Sequence, residues 1–295
     1  MRLSDDEIRS YRFPGGRYTI AYWENYLLTD CTTAEQLPDG LVHPVALLHV
    51  PILGANIEIA TLFAVCGADG PGSVGLDGYD WELFEQLRIE TEYDVQGSIV
   101  HWEHEEDPDG HPFDSMKFSI EIRDASSPER LVARVTNSWR FRRSPAVAAF
   151  IPPATMSLDE MVKPEHRLPE FIVESVDAQR MKTMAAILRD PYQVHWDREA
   201  TARMGLGGRV INQGPLNLSY IINSLHRFAG VGNIRRVTVA FHRPVFDSDY
   251  VVAGGYVEET SRAHDSSPKR VRVWLERRKP TGNEVVVSGT AIVSH

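Results

Sequence analysis

A chain of 295 residues with 42% apolar content holds enough hydrophobic material for one large core or two ordinary ones, which argues against a disordered protein. Against 41 Asp and Glu stand 31 Lys and Arg, a net charge of −10, which argues against nucleic acid as a partner while leaving room for a local basic pocket. The two cysteines, Cys31 and Cys66, are too few for a disulfide framework, and the chain shows neither an N-terminal apolar leader nor the ~20-residue apolar run that spans a bilayer, so a cytoplasmic protein with no membrane partner is expected.

In the first half, residues 18–28 (YTIAYWENYLL) read as a helix, followed by the loop 29–35 (TDCTTAE). Residues 54–63 (GANIEIATLF) read as a second helix, with Ile59, Leu62, Phe63 and Cys66 on one side. Four strand-like runs follow at 87–95, 98–106, 116–124 and 131–141, with a turn at Asp107-Pro108-Asp109-Gly110. Residues 144–169 then carry Pro145, Pro152, Pro153, Pro164 and Pro169, the composition of an extended linker.

The second half repeats the order. Asp177 caps a helix whose Met181, Met184, Ala185 and Leu188 fall at helical spacing. A loop at 189–197 (RDPYQVHWD), a short helical stretch at 198–204 and the glycine-rich MGLGG precede a longer helix after Gly214, with Leu218, Ile221, Ile222 and Leu225 on its buried side. Asp197 reads as the cap of the short stretch. Strand-like runs follow at 235–241, 249–259, 269–278 and 284–293. Asp190 lies 160 positions after Asp30, Gly214 likewise 160 after Gly54, Tyr250 157 after Tyr93 and Thr290 154 after Thr136. Four such matches in order imply an internal duplication: an N-terminal domain at 1–143, the linker at 144–169 and a C-terminal domain at 170–295. A long helix before a run of antiparallel strands predicts an α+β layer in which the sheet wraps the helix.

The segment Asp190-Pro191-Tyr192-Gln193-Val194-His195-Trp196-Asp197 is similar to a loop of the MaoC-like dehydratases, including the (R)-specific enoyl-CoA hydratases, that reads approximately D-x-N-P-x-H-x-D. Residues 204–216 (MGLGGRVINQGPL) resemble the glycine-rich segment of that family, which ends in H-G or Q-G, and 241–257 and 285–293 resemble its strands. The resemblance implies a double hotdog, and reversible hydration of enoyl thioesters or dehydration of 3-hydroxyacyl thioesters. By the same resemblance Asp190 and His195 act on the water, and the Gly214 amide contributes the oxyanion hole. A carboxylate and an imidazole five residues apart cannot share a helix face, but a loop turned by Pro191 can set them on one water. Backbone N–H groups at a helix start suit enolate charge. Which of the two side chains moves which proton stays open.

Two departures stand in the loop: Tyr192 replaces the family asparagine and Gln193 its proline. Tyr192 either supplies a hydroxyl to the pocket or narrows it, and Gln213 holds the pocket position where many members have histidine. The implied partner is an acyl-CoA or acyl-carrier-protein thioester, with no cofactor and no metal; pairing into a homodimer stays open. In the overlay Asp30 falls opposite Asp190 and Glu35 opposite His195, so the first half lacks the imidazole and is expected to shape the pocket. Phosphate contacts are offered by Arg140, Arg142 and Arg143, by Arg235 and Arg236, or by Arg277, Arg278 and Lys279. The run His101 to Asp107 reads as a solvated hairpin face. The competing functions are a non-catalytic acyl-thioester binding protein and a hotdog thioesterase; the latter usually has a carboxylate near the central helix, which Gly214-Pro215-Leu216-Asn217 lacks.

Overall fold

A computed structural model describes residues 2–69, 72–143, 167–258 and 267–294. The expected proline-rich linker lies outside the described residues up to residue 166. The first half contains α1 (Asp5–Arg9), β1 (Gly16–Thr19), α2 (Tyr22–Cys31), α3 (Ala46–Gly54), α4 (Ile59–Val65), β2 (Val74–Leu83), β3 (Glu92–Glu106), β4 (Pro112–Asp124) and β5 (Ser127–Arg142). The second contains β6 (Phe171–Val173), α5 (Ala178–Leu188), α6 (Arg198–Arg203), α7 (Gly214–Ala229), β7 (Ile234–Phe241), β8 (Tyr250–Val257), β9 (Lys269–Arg278) and β10 (Glu284–Val293).

All these strands join one antiparallel ten-stranded sheet in the order β1-β3-β4-β5-β2-β7-β10-β9-β8-β6. Matching β1–β5 with β6–β10 makes that order read the same from either edge. Each half curls around its own helix. α7 packs against all five strands of its half, and its residues from Pro215 to Leu225 are buried without a break. Local chemistry starts the helices of this half: Asp177 accepts from the Gln179 N–H at α5, and Asp197 accepts from Glu199 and Ala200 at α6.

The first half departs from its sequence reading in several places. The helix expected at 18–28 begins only at Tyr22 and runs on to Cys31, because Gly16–Thr19 pairs with β3 as β1. The expected helix at 54–63 is instead α3 ending at Gly54 and α4 beginning at Ile59, two axes bent by 69°. Pro51 within α3 and the left-handed Asn56 (φ 52°) between the two account for the break. The runs 87–95 and 98–106 are not two strands: β3 begins at Glu92 and continues through Gln96-Gly97 to Glu106. β2 was not expected, because Gly75, Asp77, Gly78 and Asp80 dilute its strand character.

β2 and β7 are the seam between halves, paired from Gly78↔Ala240 to Glu82↔Arg236. A β-carbon on Gly78 would lie 2.5 Å from the Val239 carbonyl oxygen, so the close approach of the strands requires glycine there. On the outer face the Arg236 guanidinium donates to both Asp80 oxygens (2.8 and 2.6 Å), and Thr238 donates to one of them (2.9 Å). Among the described residues no single helix is long and apolar enough to cross a membrane.

Beneath the sheet, His43 of the first half meets α7. Its Nδ1 accepts from the Val45 N–H (3.0 Å), its Nε2–H donates to Asn223 Oδ1 (3.0 Å), and Asn223 donates to the Thr32 carbonyl (3.0 Å). The His226 ring stands edge-on to His43 at 5.6 Å. Burial pushes the two imidazoles down to about 3 for His43 and about 4 for His226, so both are neutral in the fold. An unfolded imidazole takes its proton near pH 6.5. Their contribution to stability is therefore complete above about pH 6.5 and is lost as pH falls toward the folded values. His226→Phe keeps a ring against His43 and removes one titration. Urea midpoints measured from about pH 7 down to 4.5 should fall less steeply in this variant than in the parent, and equal slopes would refute the assignment.

Candidate active site

α5 ends on Arg189, whose left-handed backbone (φ 50°) turns the chain out of the helix and puts Asp190 at the start of the loop. Asp190 Oδ1 accepts from the Tyr192 N–H at 2.9 Å, an Asx turn that fixes the carboxylate. Residues Gln193–His195 form one 3-10 turn, which swings His195 back toward the carboxylate. The His195 Nδ1–H donates to the Ile211 carbonyl at 2.7 Å, leaving the Nε2 lone pair free. That Nε2 faces Asp190 Oδ2 at 3.7 Å, beyond hydrogen-bond length, with side-chain exposures of 14% for His195 and 10% for Asp190. Each group is oriented by one hydrogen bond and presents its other atom to the same gap.

Tyr192 stands beside the pair. Its ring is edge-on to His195 (5.7 Å) and to Phe63 of α4 (5.8 Å). Its hydroxyl accepts from the Gly72 N–H and donates to the Val74 carbonyl at 3.2 Å, both in the first half. Of the two sequence expectations for this residue, the geometry shows a hydroxyl engaged with the other half of the chain. Gly214 opens α7, where first-turn N–H groups have no partner within the helix. Its α-carbon is covered from the first half: a β-carbon there would come within 2.0 Å of Leu76 Cδ2 and 3.1 Å of the Tyr79 hydroxyl. Burial, with the Asp190 charge adding to it, pushes the Tyr79 phenol well above its usual range, which ties Asp190 and the start of α7 to one neighbourhood.

Gln213 goes elsewhere. It is 1% exposed, and its amide donates to the Met181 carbonyl at 2.8 Å, fastening α5 to the start of α7. In the first half the overlay fails at two of its four matches: Gly54 closes α3 whereas Gly214 opens α7, and Asp30 does not stand where Asp190 does. Asp30 lies in the last turn of α2, and the left-handed residue after that helix is Thr33 (φ 62°), so Ala34 occupies the place that follows, as Asp190 does after Arg189. Glu35 is exposed. In the hairpin run, His104 bridges Asp114 (2.6 Å) and Asp5 (2.7 Å), while His101, Glu103 and Glu105 gather on the other face.

Neither a protein-family model nor a curated protein matches the sequence. Solved structures do match its fold. A MaoC-like dehydratase superposes with a TM-score of 0.71 at 12% identity, over 98% of this chain and 99% of that one. A MaoC-like dehydratase from Phytophthora capsici gives 0.67 at 13%, over 99% of each chain. A protein from Mycobacterium tuberculosis described as having a double hotdog fold gives 0.60 at 13%, over 95% of this chain and 94% of that one. The chain is a double hotdog. At such identities the likeness settles the fold, and the chemistry has to be argued from the side chains.

Within the double hotdog, Leu76, Tyr79 and Phe63 are first-half residues at the second-half site that sequence spacing could not locate. A signal existed for Phe63, on the apolar side of the expected second helix, but nothing local assigned it to Tyr192. Tyr192→Phe keeps the ring contacts and removes both hydroxyl bonds, leaving the Gly72 N–H without its partner. Stability should drop by about 1–2 kcal/mol in urea unfolding. An unchanged midpoint would show that the hydroxyl does not brace the halves.

Proposed function

We propose that the chain is a hydro-lyase that adds water reversibly to enoyl thioesters, with one active site per chain. In this reading the copy at 170–295 carries the chemistry, and the copy at 1–143 shapes the acyl pocket. The observation that supports it most is the open pair: a His195 Nε2 lone pair and an Asp190 carboxylate oxygen, 3.7 Å apart and each oriented by its other atom. A water held between them gives up a proton toward Nε2 while its oxygen bonds to C3 of the substrate. The electron pair displaced from the double bond passes to the thioester oxygen, where the Gly214 N–H meets it. The pair returns as C2 takes the proton, and the product is the 3-hydroxyacyl thioester. The reverse sequence is dehydration.

For the phosphates of a CoA carrier, Arg142 is the choice that the site favours. It donates to the Gly72 carbonyl at 3.2 Å, next to the peptide N–H that meets Tyr192. In the other clusters Arg236 is held on Asp80, and Arg277 lies between Asp249 (3.0 Å) and Glu284; Arg142 is preferred for its place beside the Tyr192 loop.

Hydration of crotonyl-CoA, followed as loss of enoyl absorbance, tests the reading. Asp190→Asn and His195→Ala should each lower kcat by about 10²–10⁴-fold. Activity untouched by both would sink the site. Binding without turnover of any enoyl thioester would instead assign the chain as an acyl-thioester binding protein, and release of free CoA as a thioesterase. Arg142→Gln should raise KM for crotonyl-CoA and leave KM for the crotonyl-pantetheine thioester, which lacks the nucleotide phosphates, as it was.

A further inference from the structure

Tyr79 belongs to the half of the chain that has no catalytic pair, yet it points at the other half's site. Its side chain is 4% exposed, and its hydroxyl makes no hydrogen bond to any described residue. The ring is held on two sides, stacked on Trp81 (centroids 4.8 Å, 25°) and edge-on to Phe241 of β7 (5.2 Å, 81°). Trp81 is fixed in turn by its indole N–H, which donates to Asn137 at 3.0 Å. A ring so confined fixes its hydroxyl oxygen, 3.1 Å from where a β-carbon on Gly214 would stand.

The strand is shaped for this. β2 has a register irregularity between Leu76 and Gly78 in its pairing with β5. In a regular strand residues three apart face opposite sides; the extra residue lets both Leu76 and Tyr79 reach Gly214. A hydroxyl without a partner in the protein is met by water or by a ligand, and this one stands beside a helix start. Burial and the Asp190 charge both favour the protonated phenol, so it stays a donor across the working pH range.

We propose that the Tyr79 hydroxyl donates a hydrogen bond to the thioester carbonyl oxygen alongside the Gly214 N–H, so that the oxyanion hole is assembled from both halves of the chain. The proposal rests on the hydratase reading above and gives the first half a chemical role in it. Tyr79 keeps its proton throughout: its O–H bond is not broken, and its hydrogen bond strengthens while charge resides on the thioester oxygen and relaxes when C2 is protonated.

Tyr79→Phe removes the donor and keeps the ring between Trp81 and Phe241. The expected result is a fall in kcat for crotonyl-CoA of about 10²-fold, with KM within about threefold of the parent and the melting temperature little changed. Infrared spectra of bound crotonyl-CoA labelled with 13C at the carbonyl provide a readout that a packing role would not move. The C=O stretch should lie lower in the parent than in Tyr79→Phe. Unchanged kcat and an unchanged stretch in Tyr79→Phe, beside an inactive Asp190→Asn, would overturn the proposal and leave the hydratase reading standing. A parent protein inactive on every enoyl thioester would overturn both.

Discussion

The antiparallel pairing of β2 with β7 is the constraint on which the rest of the molecule depends. Each half alone would end in a strand with unpaired N–H and carbonyl groups, and the seam satisfies them by making one sheet of ten strands. Its register is held from Gly78 to Glu82, with glycine at the closest approach and Asp80 clasped by Arg236 and Thr238 outside. A slip of one residue would send Tyr79 and Trp81 to the outer face and Asp80 inward. The first-half residues over Gly214 therefore owe their place to this pairing rather than to anything in their own neighbourhood of the chain.

The two halves differ around that seam. The second keeps a continuous central helix and the Asp190–His195 loop, and its strands β8 to β10 span 8, 10 and 10 residues. In the first, the central helix is broken at Ala55–Glu58, Ala34 stands where the second half has its carboxylate, and β3 to β5 run for 15, 13 and 16 residues. What it contributes instead reaches across. The Gly72–Val74 segment holds Tyr192, Phe63 packs on the same ring, and His43 and Thr32 engage Asn223 inside α7. Buried polar contacts of this kind are satisfied in only one relative placement of the halves, which favours a single arrangement over sliding alternatives.

Legibility in the sequence followed the range of the interaction. Helices α5 and α7 were readable because caps and apolar spacing act within a few residues, and β9 because alternation does the same. The loop at 189–197 was readable for the same reason: a turn and a 3-10 step place Asp190 and His195. The α3–α4 break was not, since a continuous apolar run with Pro51 inside fits several local conformations. β2 was not, since two glycines and two aspartates in ten residues resemble a loop until partners on both sides supply the hydrogen bonds.

By itself the sequence determined the repeated order of helices before strands, the wrapped-helix architecture and the spacing of the candidate Asp–His pair, all consequences of periodicity and local turns. The tertiary structure decided what that pair faces. Tyr79 reaches Gly214, and Tyr192 reaches Val74, across more than a hundred residues of chain, and no propensity in either segment encodes such a meeting. Only strand register, fixed by main-chain hydrogen bonds and the fit of the sheet around two buried helices, brings those atoms together.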